Sequence, residues 1–184
     1  MDWNSGESQR LRFGELLRVC EGRQDLSLND IGCGYGALFD HLLTLGMRCD
    51  YLGVDISVPM IAAAQELHRG RAGCRFLAGE RADRSADYGV ASGIFNVKLD
   101  APPAAWRSHL LQTLDALDAT SRRGFAFNCL TTYSDAERMK GDLFYADPCE
   151  LFDYCKRRFA KNVALLHDYG LYEFTILVRK DAGA

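Results

Sequence analysis

A doubly wound α/β domain, with a mostly parallel sheet between two layers of helices, is the fold class that three features of the sequence predict. The first is an alternation of short apolar runs with longer segments whose apolar residues recur at helical spacing. The second is a glycine-rich turn, Gly32-Cys33-Gly34-Tyr35-Gly36, set between the run Ser27-Leu28-Asn29-Asp30-Ile31 and the helical segment that begins at Ala37. The third is a pair of apolar runs, 163–167 and 171–178, joined only by Asp168-Tyr169-Gly170. So short a link makes that pair antiparallel, because a parallel pair needs a crossover. Right-handed crossovers elsewhere place helices on both faces of the sheet.

Taken in order, Phe13, Leu16, Leu17 and Cys20 mark a helix over residues 7–20, with Gln9 and Arg12 on its polar face. Trp3, ahead of it, belongs either to a disordered end or to a lid. The first strand ends at Asp30, and Leu38, Phe39, Leu42 and Leu43 define the helix after the turn. A second strand, Cys49 to Val54, ends at Asp55. Ser57 can cap the next helix through its side-chain oxygen, Pro59 is tolerated in its first turn, and Met60, Ile61, Ala64 and Leu67 supply its buried stripe. Cys74 to Ala78 is a third strand, ending at Gly79-Glu80-Arg81, and Tyr88 to Phe95 a fourth, with Asn96 just past its end.

Pro102-Pro103 opens a helix whose apolar face is Trp106, Leu110, Leu111, Leu114 and Leu117, which assigns Trp106 to the core. Arg122-Arg123-Gly124 reads as a turn into a fifth strand, Phe125 to Leu130. Residues 131–147 show no clean periodicity; a connection this long with several aromatics reads as an ordered lid on the substrate side. Asp147-Pro148-Cys149-Glu150 is a helix start, with an acid at the cap, proline first and glutamate three after the cap.

The 184 residues, 48% hydrophobic and 26% charged, suit one globular unit over residues 1–184 with a sizeable core. A net charge of −3 provides no global field for nucleic acid or an anionic membrane, and Arg122-Arg123 and Lys156-Arg157-Arg158 read as solvated surface. The seven cysteines form no C-x-x-C pair and are odd in number. They read as reduced thiols of a cytoplasmic protein, packed as small hydrophobes, with no metal site among them. No apolar run approaches the roughly 20 residues needed to span a bilayer.

In an open α/β sheet a ligand lies beyond the carboxyl ends of the strands, at the switch in strand order. A glycine turn there tolerates positive φ and lets a ligand approach the backbone, and the free N–H groups of the following helix face it. A nucleotide-like occupant follows. The spacing Gly32-Cys33-Gly34-Tyr35-Gly36-Ala37 also fits the G-x-G-x-x-A dinucleotide fingerprint, so nicotinamide and flavin enzymes are alternatives. Taken together, Asp30-Ile31-Gly32-Cys33-Gly34-Tyr35-Gly36 and Gly53-Val54-Asp55-Ile56-Ser57 resemble the class I S-adenosylmethionine-dependent methyltransferases.

That resemblance implies a three-layer α/β/α sandwich whose seven-stranded, mostly parallel sheet has an antiparallel last strand, in keeping with the terminal hairpin. It implies S-adenosyl-L-methionine as cofactor, with Gly32 and Gly34 meeting its methionine part and Asp55 its ribose hydroxyls. It also implies Ile56 and Met60 beside the adenine and Glu80 accepting from the exocyclic amine, where the family often has aspartate. Asp30, Arg81 and Gly93 at neighbouring strand ends complete the set, and Arg12 can meet the methionine carboxylate. Plainer readings stand beside these: Asp55 as a cap, Ile56 as core, Arg12 as solvated surface.

For the acceptor, His167 ends its strand at the ligand edge with a pKa near neutrality, which suits a general base. A histidine in a hairpin is also often structural. Tyr133 is a second catalytic candidate, and Tyr133, Tyr145 and Asn96 are candidate acceptor contacts. The Asn/Asp-Pro-Pro-Tyr/Phe motif of enzymes methylating nucleic-acid amino groups is missing, since Phe95-Asn96-Val97-Lys98 stands in its place. With the acidic balance, this predicts a small-molecule acceptor, no nucleic-acid or membrane partner, and a monomer or homodimer. A methyltransferase-like module that binds without catalysis is the alternative.

Overall fold

The computed structural model describes residues 6–180; Trp3 lies outside them. β1 (Asp25–Ile31), β2 (Arg48–Asp55), β3 (Cys74–Ala78), β4 (Ala86–Ala91) and β5 (Ser121–Thr131) pair in parallel. β6 (Tyr145–Ala146) pairs with the end of β5, and β8 (Glu173–Arg179) lies antiparallel between β5 and β7 (Asn162–Leu166). The order is β3-β2-β1-β4-β5-β8-β7, with β6 off this path. The seven expected strands and the antiparallel last one are present, and β6 is an addition within the segment expected to be a lid. The strand order reverses between β1 and β4, so the switch point falls at Asp30 and the glycine turn.

Period-2 alternation along the strands builds two cores. On one face Leu26, Leu28, Tyr51, Val90, Ala126 and Leu177 meet α1 (Gly6–Leu17), α2 (Ala37–Thr44) and α3 (Val58–Leu67). On the other, Ile31, Leu52, Val54, Ala91, Phe125, Phe127 and Ile176 meet α4 (Pro103–Thr120) and α5 (Pro148–Arg158). This is the three-layer sandwich. Each large apolar side chain so buried contributes about 1.5–3 kcal/mol. Even-numbered β1 residues face α1, and that parity points Asp30 the same way as Leu28.

Helix starts follow their sequence signals. Ser57 Oγ accepts from the Met60 N–H, and Asp147 Oδ1 accepts from the N–H groups of Cys149 and Glu150 at 2.8 and 3.2 Å. Four local expectations are corrected. β4 stops at Ala91, not Phe95, because Gly93 turns the chain out of the sheet at φ 74°. Arg122 to Gly124 belong to β5, where Gly124 pairs with Arg179 of β8. On α3 only Ile61 and Ala64 are buried, leaving Met60 and Leu67 exposed. Trp106 is half-buried, its indole N–H donating to the Phe95 carbonyl at 2.8 Å.

The segment 131–147 is ordered by backbone pairing: a 3-10 turn at Ala136–Arg138, β6, a bridge between Val97 and Leu143, and the Phe144 N–H on the Asn96 carbonyl at 2.9 Å. All seven cysteines are free thiols. Burial pushes Cys20, Cys49 and Cys155 up to about 12, which fits small hydrophobes rather than nucleophiles. Among the described residues no helix is long and apolar enough to cross a membrane.

Candidate functional site

The glycine turn is held by the neighbouring strand. Gly32 and Cys33 donate their N–H groups to the Val54 carbonyl at 2.7 and 3.1 Å, and the Gly34 N–H donates to Asp55 Oδ2 at 2.9 Å. Asp55 Oδ1 accepts from the Ser57 N–H at 2.8 Å, so this carboxylate ties the loop to the start of α3. Gly32 sits at φ 76°, where a Cβ would lie 2.0 Å from Ile94 Cγ2. At Gly34, also at positive φ, a Cβ would meet nothing within 4 Å, because the chain there borders open space. Behind the loop His68 is buried and stacked on Phe76; its Nε2 lies 3.2 Å from the Tyr35 carbonyl, which can only accept, so Nε2 carries the proton.

The open space is a cavity of about 250 Å³ lined by Gln9, Arg12, Asp30, Gly32, Gly34 and Gly93, among others. Asp30 is 2% exposed; its Oδ2 accepts from Tyr51 OH at 2.6 Å, and its Oδ1 has no partner. Burial raises its pKa to about 7 against the opposing Tyr51 hydrogen bond, with the Asp55 charge adding to the rise. A buried carboxylate with one unsatisfied oxygen at the edge of a cavity is suited to a cationic group of a ligand.

Arg12, on the opposite wall, is buried and ion-paired with Glu173 Oε1 at 3.0 Å. Glu173 Oε2 accepts from Asn128 Nδ2, and Asn128 Oδ1 accepts from the Gly93 N–H at 2.8 Å. Burial raises the Glu173 pKa, opposed by the Arg12 charge and the two hydrogen bonds. This chain of contacts joins α1, β8, β5 and the β4 turn around the cavity. Asn128 and Glu173 escaped the sequence reading, since each is one polar residue in an apolar strand. The available signal was that polarity itself, at strand ends on the glycine-turn side of the sheet.

A second cavity, of about 440 Å³, opens under the 131–147 segment. Leu130, Leu143 and Leu171 give it apolar walls, Arg138, Lys140, Tyr145 and Tyr172 polar ones, and Glu173 borders it. Glu173 therefore lines this cavity and ion-pairs Arg12, which lines the other. Asn96 is fully buried; its Oδ1 accepts from the Leu130 N–H at 3.0 Å, and its Nδ2 has no partner.

The other expected residues are spread more widely. Ile56 is 76% exposed and Met60 46%, so both leave apolar surface open beside Asp55. Glu80 and Arg81 are exposed and border a small crevice against α4 rather than the glycine-turn cavity. Tyr133 and His167 are exposed, with ring centroids 5.9 Å apart, and border neither cavity; the His167 ring also meets Phe174. Among the described residues no cluster of His, Cys, Asp or Glu could hold a metal ion.

A family model described as a methyltransferase domain matches residues 29–118, the stretch from Asn29 of β1 to Asp118 of α4. With this fold and site, the chain belongs to the class I S-adenosylmethionine-dependent methyltransferases. It is 58% identical over 164 residues to the Mycobacterium tuberculosis H37Rv protein named "Putative methyltransferase Rv1506c", across 89% of this chain and 99% of that one. Solved structures share the fold at low identity. The N-methyltransferase NodS of Bradyrhizobium japonicum WM9, in complex with S-adenosyl-L-homocysteine, superposes with a TM-score of 0.68 at 13% identity, over 98% of this chain and 91% of that one. Magnesium protoporphyrin IX methyltransferase of Synechocystis PCC 6803, with bound S-adenosylmethionine, does so with 0.63 at 13%, over 96% and 80%.

Proposed function

We propose that this enzyme transfers a methyl group to a small-molecule acceptor held in the cavity under residues 131–147, which serve as a lid on a single domain spanning the chain. The observation that carries the reading is Asp30: a buried carboxylate with one orphaned oxygen, on a cavity walled by a glycine turn at the switch point. The polar lining of this cavity suits the methionine part of S-adenosylmethionine, with its nucleoside extending toward Asp55, and when bound the cofactor supplies an electrophilic methyl group on a sulfonium sulfur. Asp30 Oδ1 accepts from the ammonium of its methionine part. Gly32 and Gly34 keep the loop free of side chains there, and Gly93 closes the far wall. Arg12, steadied by Glu173, faces the carboxylate. Each Asp55 oxygen has a second lone pair for a ribose hydroxyl. The exposed faces of Ile56 and Met60 flank the adenine, with Glu80 and Arg81 at the next strand end.

Methyl transfer is an in-line displacement, so the chain's main task is to hold the acceptor atom in line with carbon and sulfur, a positional effect worth about 7–11 kcal/mol. Leu130, Tyr145 and Glu173 border the space where that atom would sit, and Asn96 braces Leu130 through its backbone. His167 and Tyr133, with ring centroids 5.9 Å apart, are not among the residues lining this space, and the acceptor's contacts fall to the lining residues instead. Seven free thiols support a reducing, cytoplasmic setting, and a net charge of −3 supports a partner other than nucleic acid.

Calorimetric titration with S-adenosylmethionine and S-adenosylhomocysteine, with NADH as control, tests the site. The expected result is micromolar binding of the first two, none of NADH, and a loss of at least about tenfold in Asp55→Ala, equivalent to about 1.4 kcal/mol. Folded protein that binds neither would make a non-catalytic interaction module the better account.

A further inference from the structure

Resting on the methyltransferase reading above, charge accounting in the cavity under residues 131–147 narrows the class of acceptor. Four charged or ionisable side chains at this cavity already have partners. Glu173 is neutralised by Arg12 at 3.0 Å and hydrogen-bonded by Asn128. Arg138 lies 3.6 Å from Asp135 and 5.6 Å from the centre of the Tyr172 ring. The Tyr172 hydroxyl donates to Asp135, and the Tyr145 hydroxyl accepts from the Lys140 backbone N–H at 3.0 Å. Only the Lys140 ammonium, among the described residues lining the cavity, has no ion-pair partner. The rest of the wall is Gly170, Ser134, whose hydroxyl donates to the Thr131 carbonyl at 2.7 Å, and the aliphatic side chains of Leu130, Leu143 and Leu171.

We infer that the acceptor is an amphiphilic small-molecule anion, its apolar body against Leu130, Leu143 and Leu171 and its carboxylate, or a sulfate or phosphate monoester, at Lys140. An apolar body gains from desolvating the leucine walls, and a cation at the mouth of an otherwise neutralised cavity favours one anionic group and disfavours an ammonium. A point charge on a flexible stem sets no bidentate geometry, so both kinds of anion share this chemistry.

The test uses the full chain preloaded with S-adenosylhomocysteine and titrated calorimetrically with octanoate, octyl sulfate, octanol and octylamine. At least one of the two anions should bind about tenfold or more tighter than octanol, with octylamine weakest, and the tighter anion names the group. In Lys140→Glu, whose folding is checked by its melting profile, octylamine should overtake both anions; Lys140→Gln should fall between. Octanol or octylamine binding as tightly as the better anion would overturn the inference. So would no binding of any probe, or an order unchanged in Lys140→Glu. Failure of S-adenosylhomocysteine to bind in the preloading step would instead remove the cofactor site, a separately read outcome.

Discussion

The two cavities are built in opposite ways. The one at the glycine turn is made of backbone and of side chains fixed by burial: loop N–H groups on Val54 and Asp55, Asp30 held by Tyr51, Arg12 held by Glu173. The one under residues 131–147 joins the buried Leu130 and Glu173 of the sheet to exposed or half-buried side chains, most of them on two irregular stretches around residues 134–145 and 170–172, with a single uncommitted charge. A rigid wall suits a ligand that stays the same through every reaction cycle. A side-chain wall on irregular backbone can change its selectivity without disturbing the core, because loops tolerate substitution where strands do not.

The sharpest way to break that contrast is at Gly32. Gly32→Val places a side chain at positive φ, against Ile94 and on the cavity wall. Stability should fall by about 3 kcal/mol or more and S-adenosylhomocysteine affinity by over about a thousandfold, read by urea unfolding and calorimetry. Next comes Glu173, which lines one cavity and pairs with Arg12 of the other. Glu173→Ala removes a buried carboxylate that pairs with Arg12 and accepts from Asn128, and should cost about 3–5 kcal/mol in urea unfolding, far above the roughly 0–1 kcal/mol of an exposed pair such as Arg107 with Glu150.

Asp30→Asn has the smallest effect and the most diagnostic pH dependence. With its pKa near 7, Asp30 loses its charge as pH falls through neutrality. Affinity for S-adenosylhomocysteine should therefore rise from pH 6 to 8 in the parent and stay flat in the variant, with a loss of about tenfold at pH 8. Stability runs the other way. From 3.8, the ordinary value, to about 7 the folded state keeps a proton that the unfolded chain has released, so the unliganded protein loses stability as pH rises across that window. Melting temperatures from pH 4 to 8 should fall more steeply in the parent than in the variant, which keeps only the contribution of other raised groups such as Glu173.

The same contrast explains what could be read from the sequence. The glycine turn, Asp30, Asp55 and the caps at Ser57 and Asp147 are local signals, each complete within a few residues, and all stand where the sequence predicts. So does the antiparallel pair β7 and β8, whose short connection leaves no other geometry. The site's second wall was hidden because it depends on long-range meetings: Arg12 with Glu173 across 161 positions, and Asn128 with Glu173 across 45. Periodicity marks those strands as apolar and is silent about which single polar residues will face one another. His167 shows the limit from the other side: a strand-end position says nothing of what the ring will meet, and here it meets Tyr133 and Phe174, while neither cavity is lined by it.

The Arg12 to Glu173 pair also carries a consequence for how the protein is made. The helix bearing Arg12 leaves the ribosome early, whereas Glu173 opens the last strand. Until that strand docks between β5 and β7, the contacts of Arg12 and of the Asn128 amide with Glu173 cannot form. The nascent chain can assemble the glycine turn on β1 and β2 long before then, yet the finished cavity must wait for β8, whose pairing with β5 spans a large sequence separation. Completion of the glycine-turn cavity is thus tied to the docking of β8, although that strand contributes none of the turn itself.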